Sequence, residues 1–85
     1  MELFNLINQH CDIRLLKTSC NFKGCYKKPK KEMLIIQLDM NTVKRKEIIS
    51  LYLCDEHYTE MEKILGDVVG KFVNGKVYKI KKSDI

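Results

Sequence analysis

The 85-residue chain contains no alanine, one proline, two histidines and two arginines, and no apolar run longer than the four residues Met33–Ile36. A run that short cannot cross a bilayer, which takes about 20 apolar residues in a helix. With so little proline and glycine there is no low-complexity linker, so the chain reads as a single domain over residues 1–85. Met-Glu-Leu-Phe-Asn at the N-terminus has an acid where a secretory signal has a basic region, and no small-residue cleavage site follows. The expectation is an intracellular, cytoplasmic protein with no membrane partner. One of the two histidines has metal-ligand spacing, which leaves His10 as the only candidate base. There is no phosphate loop, nucleophile elbow or paired-acid motif. An enzyme with a small-molecule substrate is therefore not expected.

Hydrophobic residues make up 45% of the chain and charged residues 32%, a globular rather than a disordered balance. The net charge of +5 is unevenly spread. Residues 20–31 hold Lys23, Lys27, Lys28, Lys30 and Lys31 with no acid. Residues 71–85 hold Lys71, Lys76, Lys79, Lys81 and Lys82 against Asp84. Between them, residues 55–70 hold Asp55, Glu56, Glu60, Glu62 and Asp67 against Lys63. Two basic blocks around an acidic one imply a polarised surface.

Periodicity places a short helix over residues 2–9, an extended piece over 12–17 and a loop over 18–29. Residues 32–40 read as a strand with Leu34, Ile36, Leu38 and Met40 on its apolar face. A polar hairpin tip follows over 41–46, then a returning strand over 47–54 with Ile49, Leu51 and Leu53 inward. Met61, Ile64, Leu65, Val68, Val69 and Phe72 recur at helical spacing, which predicts a helix over 55–70 with acids in its first turn. Asn74-Gly75 between apolar neighbours predicts a two-residue hairpin leading into a basic strand over 77–82. The expected core packs Leu34, Ile36, Leu38, Ile49, Leu51 and Leu53 on Met61, Ile64, Leu65 and Val68.

The sharpest pattern is Cys20-x4-Cys25 followed by Cys54-x2-His57. Three thiolates and an imidazole close a tetrahedral zinc shell with no position left for a reacting water, so the site predicted is structural. In an oxidising compartment the four cysteines would instead form disulfides, but a histidine three positions after Cys54 favours metal. Cys11 stands outside the pairs and reads as a small core residue. His10 beside it offers a rival ligand, although adjacent side chains diverge. Cys54 ends a strand and His57 falls in the first turn of a helix, where the dipole favours thiolate.

Cys20 and Cys25 in a loop, a hairpin over 32–54 and a helix from Asp55 resemble the treble-clef zinc fingers. The resemblance covers about residues 18–70 and is carried most closely by Leu53-Cys-Asp-Glu-His57. It implies a small α+β zinc-stapled domain with one structural Zn2+ and a basic C-terminal extension over 71–85. The knuckle here is wider than the usual C-x2-C, and Gly24 precedes the second cysteine rather than following it. Treble clefs serve many functions, so the fold does not choose among them.

Lysines beside aromatics in the 22–31 loop suggest contacts to phosphates and unpaired bases by Phe22, Lys23, Tyr26, Lys27, Lys28, Lys30 and Lys31. Lys44, Arg45 and Lys46 at the hairpin tip, with Lys76, Lys79, Lys81 and Lys82 in the tail, would widen that footprint. Few arginines and many lysines favour RNA or DNA backbone over base-edge reading, as in a ribonucleoprotein or transcription complex. The bland alternative is a solvated lysine surface, with the tail as an edge strand guarded by lysine. The other functional class is an adaptor or regulator of a protein partner, including a virus- or mobile-element-encoded one. An apolar patch left exposed would mark the adaptor, and a continuous positive face would mark nucleic acid.

Overall fold

Met33-Leu-Ile-Ile36 is apolar at every position, so alternation alone cannot say which side of this strand is buried. The computed structural model, which describes residues 3–85, resolves the choice. Its elements are helix α1 (Leu3–His10), a 3-10 turn (Ile13–Leu15), strands β1 (Lys31–Asp39) and β2 (Lys44–Leu53), helix α2 (Asp55–Leu65), and strands β3 (Phe72–Val73) and β4 (Lys76–Asp84). The strands form one antiparallel sheet in the order β2-β1-β4-β3. This is an α+β arrangement, and β4 pairs with β1 along the whole length of both.

The core face of β1 is Met33 and Ile35, not Leu34, Ile36 and Leu38: Ile36 is also buried, at 8% exposure, but on the opposite side of the sheet, where Leu34 and Leu38 are half-buried. Met33 stands opposite Leu51 and Ile35 opposite Ile49, and both pack beneath the helices with Leu53, Met61 and Leu65. Phase is set by β2, whose inward Leu51 and Leu53 lead directly into Cys54, so β1 must follow it. The register slips between Ile35 and Ile36, where Ile48 is the extra residue of a bulge. As a result Ile48 joins Ile49 against the core. Leu3, Leu6 and Ile7 of α1 complete the layer, as i, i+3, i+4 spacing requires. The predicted helix start at residue 2 lies outside the described residues.

Three other expectations are corrected. Residues 12–17 are not extended: Asp12 caps the 3-10 turn by accepting the Arg14 amide at 3.1 Å, and its carboxylate also holds the Arg14 guanidinium. The hairpin turn is Met40–Val43, so Lys44, Arg45 and Lys46 belong to β2. Helix α2 stops at Leu65 rather than at residue 70: the Gly66 amide donates to the Lys63 carbonyl and the Val68 amide to that of Leu65, three residues back in each case, and turns replace the helix over residues 66–68. Val68 and Val69 still reach the core from that turn, and the Gly70 amide donates to the Tyr78 carbonyl at 2.9 Å. Helical spacing therefore outlasts the helix, and Phe72 belongs to the sheet. The Asn74-Gly75 turn is as predicted, with φ of 55° and 77°, the left-handed pair of a type I′ turn. A side chain on Gly75 would also meet the Asn41 amide at 2.5 Å.

The two sides of β1 make a direct test. Ile35→Ala is expected to cost about 2–4 kcal/mol in urea unfolding of the metal-loaded protein, and Leu34→Ala about 1 kcal/mol or less. Equal costs would mean that the inward face has been misassigned.

Candidate metal centre

Four donors from two parts of the chain meet where β2 passes into α2. Cys54 is the N-cap residue of α2, in extended conformation, and His57 lies in the first turn. The other pair comes from the loop before β1. There the Cys25 amide donates to the Phe22 carbonyl at 3.1 Å, closing a turn whose third residue, Gly24, has φ of 83°. That conformation favours glycine and explains its place before the second cysteine.

The loop is fastened to the sheet by Asn21, which sequence reasoning missed. Its side chain is fully buried, with Oδ1 accepting the Tyr52 amide at 2.9 Å and Nδ2 donating to the carbonyls of Leu16 and Ser19. The Asn21 amide donates to the Tyr52 carbonyl at 2.8 Å, so this residue pairs with β2 through both backbone and side chain. Nothing in the sequence separates this asparagine from an ordinary loop residue. Cys11 and Phe22 add an antiparallel bridge that ties the end of α1 to the same loop.

Cys20, Cys25, Cys54 and His57 have all their donor atoms within 4.8 Å of one another, a cluster that can hold a metal ion. Sγ of Cys25 and Cys54 are 3.9 Å apart, and Nδ1 of His57 lies 3.6 Å from Cys20 Sγ and 3.3 Å from Cys54 Sγ. Four-coordinate zinc bound at about 2.3 Å to sulfur and about 2.0 Å to nitrogen implies donor spacings of about 3.8 and 3.5 Å. The donor set fits that shell, and all four cysteines are free thiols.

Amides converge on the sulfurs and favour thiolate. The Cys54 amide lies 3.3 Å from Cys20 Sγ, which also receives the Phe22 amide, and Cys25 Sγ receives the Lys27 amide. Without metal, burial still pushes the Cys20 thiol up to about 11. Burial acts in the same direction on Cys25, but the Lys27 amide and the neighbouring sulfurs outweigh it and hold that thiol below its ordinary value. Metal binding must therefore displace protons, and affinity falls as pH falls. Cys11 is buried and pushed up to about 12, chiefly by burial and then by Cys20, so it stays a neutral thiol. Its contribution to stability is complete below its ordinary value of 9.0 and is lost as pH rises toward 12.

Phe22, expected to stack on a base, stacks on the ring of the candidate ligand His57. Its ring lies 4.2 Å from that of His57 at an interplanar angle of 2°, and 6.1 Å from that of His10 at 26°. A parallel ring at that distance fixes the imidazole plane and directs Nδ1 at the sulfurs. His10 thus supports the site without supplying a donor to it.

The cationic residues do not form one patch. Lys23, Lys27, Lys28, Lys30 and Lys31 surround the metal end of the sheet, with Tyr26 projecting at 89% exposure. Among them Lys27 pairs with Glu56 at 3.4 Å and Lys31 with Asp84. Lys44, Arg45, Lys46 and Lys76 lie at the far end, where Asp39 faces both Lys44 and Lys76. Eight residue steps of β1 put the two ends about 26 Å apart. Lys79 and Lys81 lie on the helix-free side of the sheet, in rows with Ile36 and Leu34, while Lys82 is on the helix side, 5.1 Å from the Tyr58 ring. No helix of the described residues is long and apolar enough to cross a membrane. No family model, curated protein or solved structure matches the chain.

Two outcomes check the centre. Phe22→Leu is expected to weaken metal retention against a chelator by about tenfold, as loss of a supporting neighbour does, whereas removal of the Lys28 side chain should leave it unchanged. In the metal-loaded protein iodoacetamide at neutral pH is expected to leave Cys11 unmodified until the chain is unfolded, read as mass increments. Early alkylation of Cys11 would contradict its burial.

Proposed function

We propose that this chain is a non-enzymatic, treble-clef-type zinc module of the cell interior that binds nucleic-acid phosphates at its metal end. The reading of the fold rests on order: a two-cysteine loop, a hairpin, then a helix whose start supplies the second ligand pair. Zinc is the metal that three thiolates and an imidazole suit best. A reducing compartment keeps those thiolates available.

The observation that carries the nucleic-acid reading is the cationic metal end. Lys23, Lys28 and Lys30 are exposed and in no ion pair among the described residues, and Tyr26 stands beside them with its ring free. Lysines there neutralise phosphates, and the tyrosine offers one face to an unpaired base. Lys27 and Lys31 are tied to exposed acids, a surface pairing weak enough to exchange for phosphate. Three cysteines that are buried and a half-buried His57 fill a four-coordinate shell and leave no position for substrate, so the ion holds the lysine-bearing loop in shape.

One zinc per chain is expected by elemental analysis, and Cys54→Ser is expected to lose both the metal and the cooperative melt. Zinc-loaded protein titrated with pooled RNA and with duplex DNA should bind with affinity falling steeply in salt, by about 0.7–0.9 logarithmic units per phosphate contact for each decade of salt. Lys23, Lys28 and Lys30→Glu together should abolish binding while the metal stays in place. Binding unchanged by the triple substitution, or absent at low salt, would overturn this reading.

A further inference from the structure

The side of the sheet away from the helices carries the apolar residues that alternation assigned to the core. Strand pairing sets Leu34, Ile36 and Leu38 in rows. Leu34 lies between Lys81 and Ser50, Ile36 between Lys79 and Glu47, and Leu38 between Val77 and Arg45. Phe72 extends the last row beyond Val77 and is 65% exposed. Among the described residues no helix lies on this side. The core beneath the helices includes Met33 and Ile35, whereas Ile36 and Val77 lie outside it, already buried at 8% and 2% exposure among their neighbours on this face, with Leu34 and Leu38 half-buried beside them.

Charge in the middle row is lopsided, with a cation on the β4 side of Ile36 and an anion on the β2 side. Lys79 and Glu47 stand two strand spacings apart, about 10 Å, too far to pair with each other. Both are exposed, and neither is in an ion pair among the described residues.

We propose that this face docks a second copy of the same chain, β1 upon β1, about a two-fold axis running along β1. Such an axis keeps each position along the strand and exchanges the two flanks. The copy's Lys79 then stands over Glu47 and its Glu47 over Lys79, so both unpaired charges are matched at once. Leu34, Ile36 and Leu38 meet their own counterparts, as does Glu32, whose like charge is offset by the copy's Lys81 over Ser50, the residue hydrogen-bonded to Glu32; the copy's Phe72 comes to the Arg45 flank, an aromatic beside a guanidinium. A phosphate-bearing partner suits this face poorly, because Glu47 and Glu32 share it with the lysines. The face measures about 30 by 14 Å, near 400 Å² per copy, from about 3.3 Å per residue and 4.8 Å per strand. That is half the roughly 800 Å² per partner of a standard interface, so the dimer is a weak one, selected by its charge pairs rather than by apolar area. This inference is independent of the nucleic-acid reading, which uses the metal end.

The test is sedimentation equilibrium of nuclease-treated, metal-loaded full chain from about 5 to 500 μM, a range suited to weak association. The average mass is expected to rise from 10.0 kDa toward twice that value. Lys79→Glu and Glu47→Lys should each weaken association by about tenfold or more, since like charges then face each other. The double swap should restore it, and Lys28→Glu should change nothing. Because both swapped residues are exposed, unaltered melts will show that the fold is kept. A monomer at every concentration, single swaps without effect, or a double swap that fails to restore the dimer would each overturn the proposal.

Discussion

The junction at Leu53–Cys54–Asp55 is the point on which the other elements depend. There β2 ends, α2 begins, and the two halves of a Cys3His cluster come together. The phase of β2 is fixed by its last residues: Leu53 is fully buried, Cys54 faces the other donors, and Leu51 and Ile49 must follow inward by alternation. Asn21 binds the ligand-bearing loop to Tyr52, one residue before Leu53, so the loop has one position relative to the strand. In a domain of this size the hydrophobic core is thin, and a cluster able to hold one ion between loop, strand and helix would add a constraint that the core lacks.

From that anchor the rest of the sheet is set by pairing. β1 is apolar on both sides and takes its phase from β2. β4 then closes on the free edge of β1, with Tyr78 and Ile80 turned toward the helices and Lys79 and Lys81 turned away. The result is a sheet with one side built around a core and the other bearing an apolar stripe between charged flanks. A lone antiparallel sheet tolerates one solvated side, but such a side is ordinarily polar. Here that side departs from the rule, with Ile36 and Val77 buried and Leu34 and Leu38 half-buried among the charged flanks.

The basic character of the chain is divided by the same topology. Loop lysines collect at the metal end, and those of the hairpin and the 3-4 turn collect about 26 Å away along β1. A charge total of +5 therefore describes no single surface. Residues close in the sequence separate as well: Lys79 and Lys82 lie on opposite sides of the sheet, and Lys82 is drawn to the Tyr58 ring. Phe22 and Tyr26, both aromatics in one loop, divide between supporting a ligand and standing free.

Local chemistry was legible in the sequence wherever a residue type has few alternatives. The ligand spacing of Cys20, Cys25, Cys54 and His57, the Asn74-Gly75 turn, the helix beginning at Asp55 and the inward Leu51 and Leu53 are all of this kind. Metal donors, left-handed turns and helix starts are each governed by short-range rules that a few neighbours satisfy. What only the tertiary structure decided are choices that local rules leave balanced. The buried side of β1 is undetermined when both alternations are apolar, the end of α2 is hidden when a turn continues the helical spacing, and the role of Asn21 depends on a strand 31 residues away. In each case the deciding energy comes from a partner distant in the chain, which no window of sequence contains.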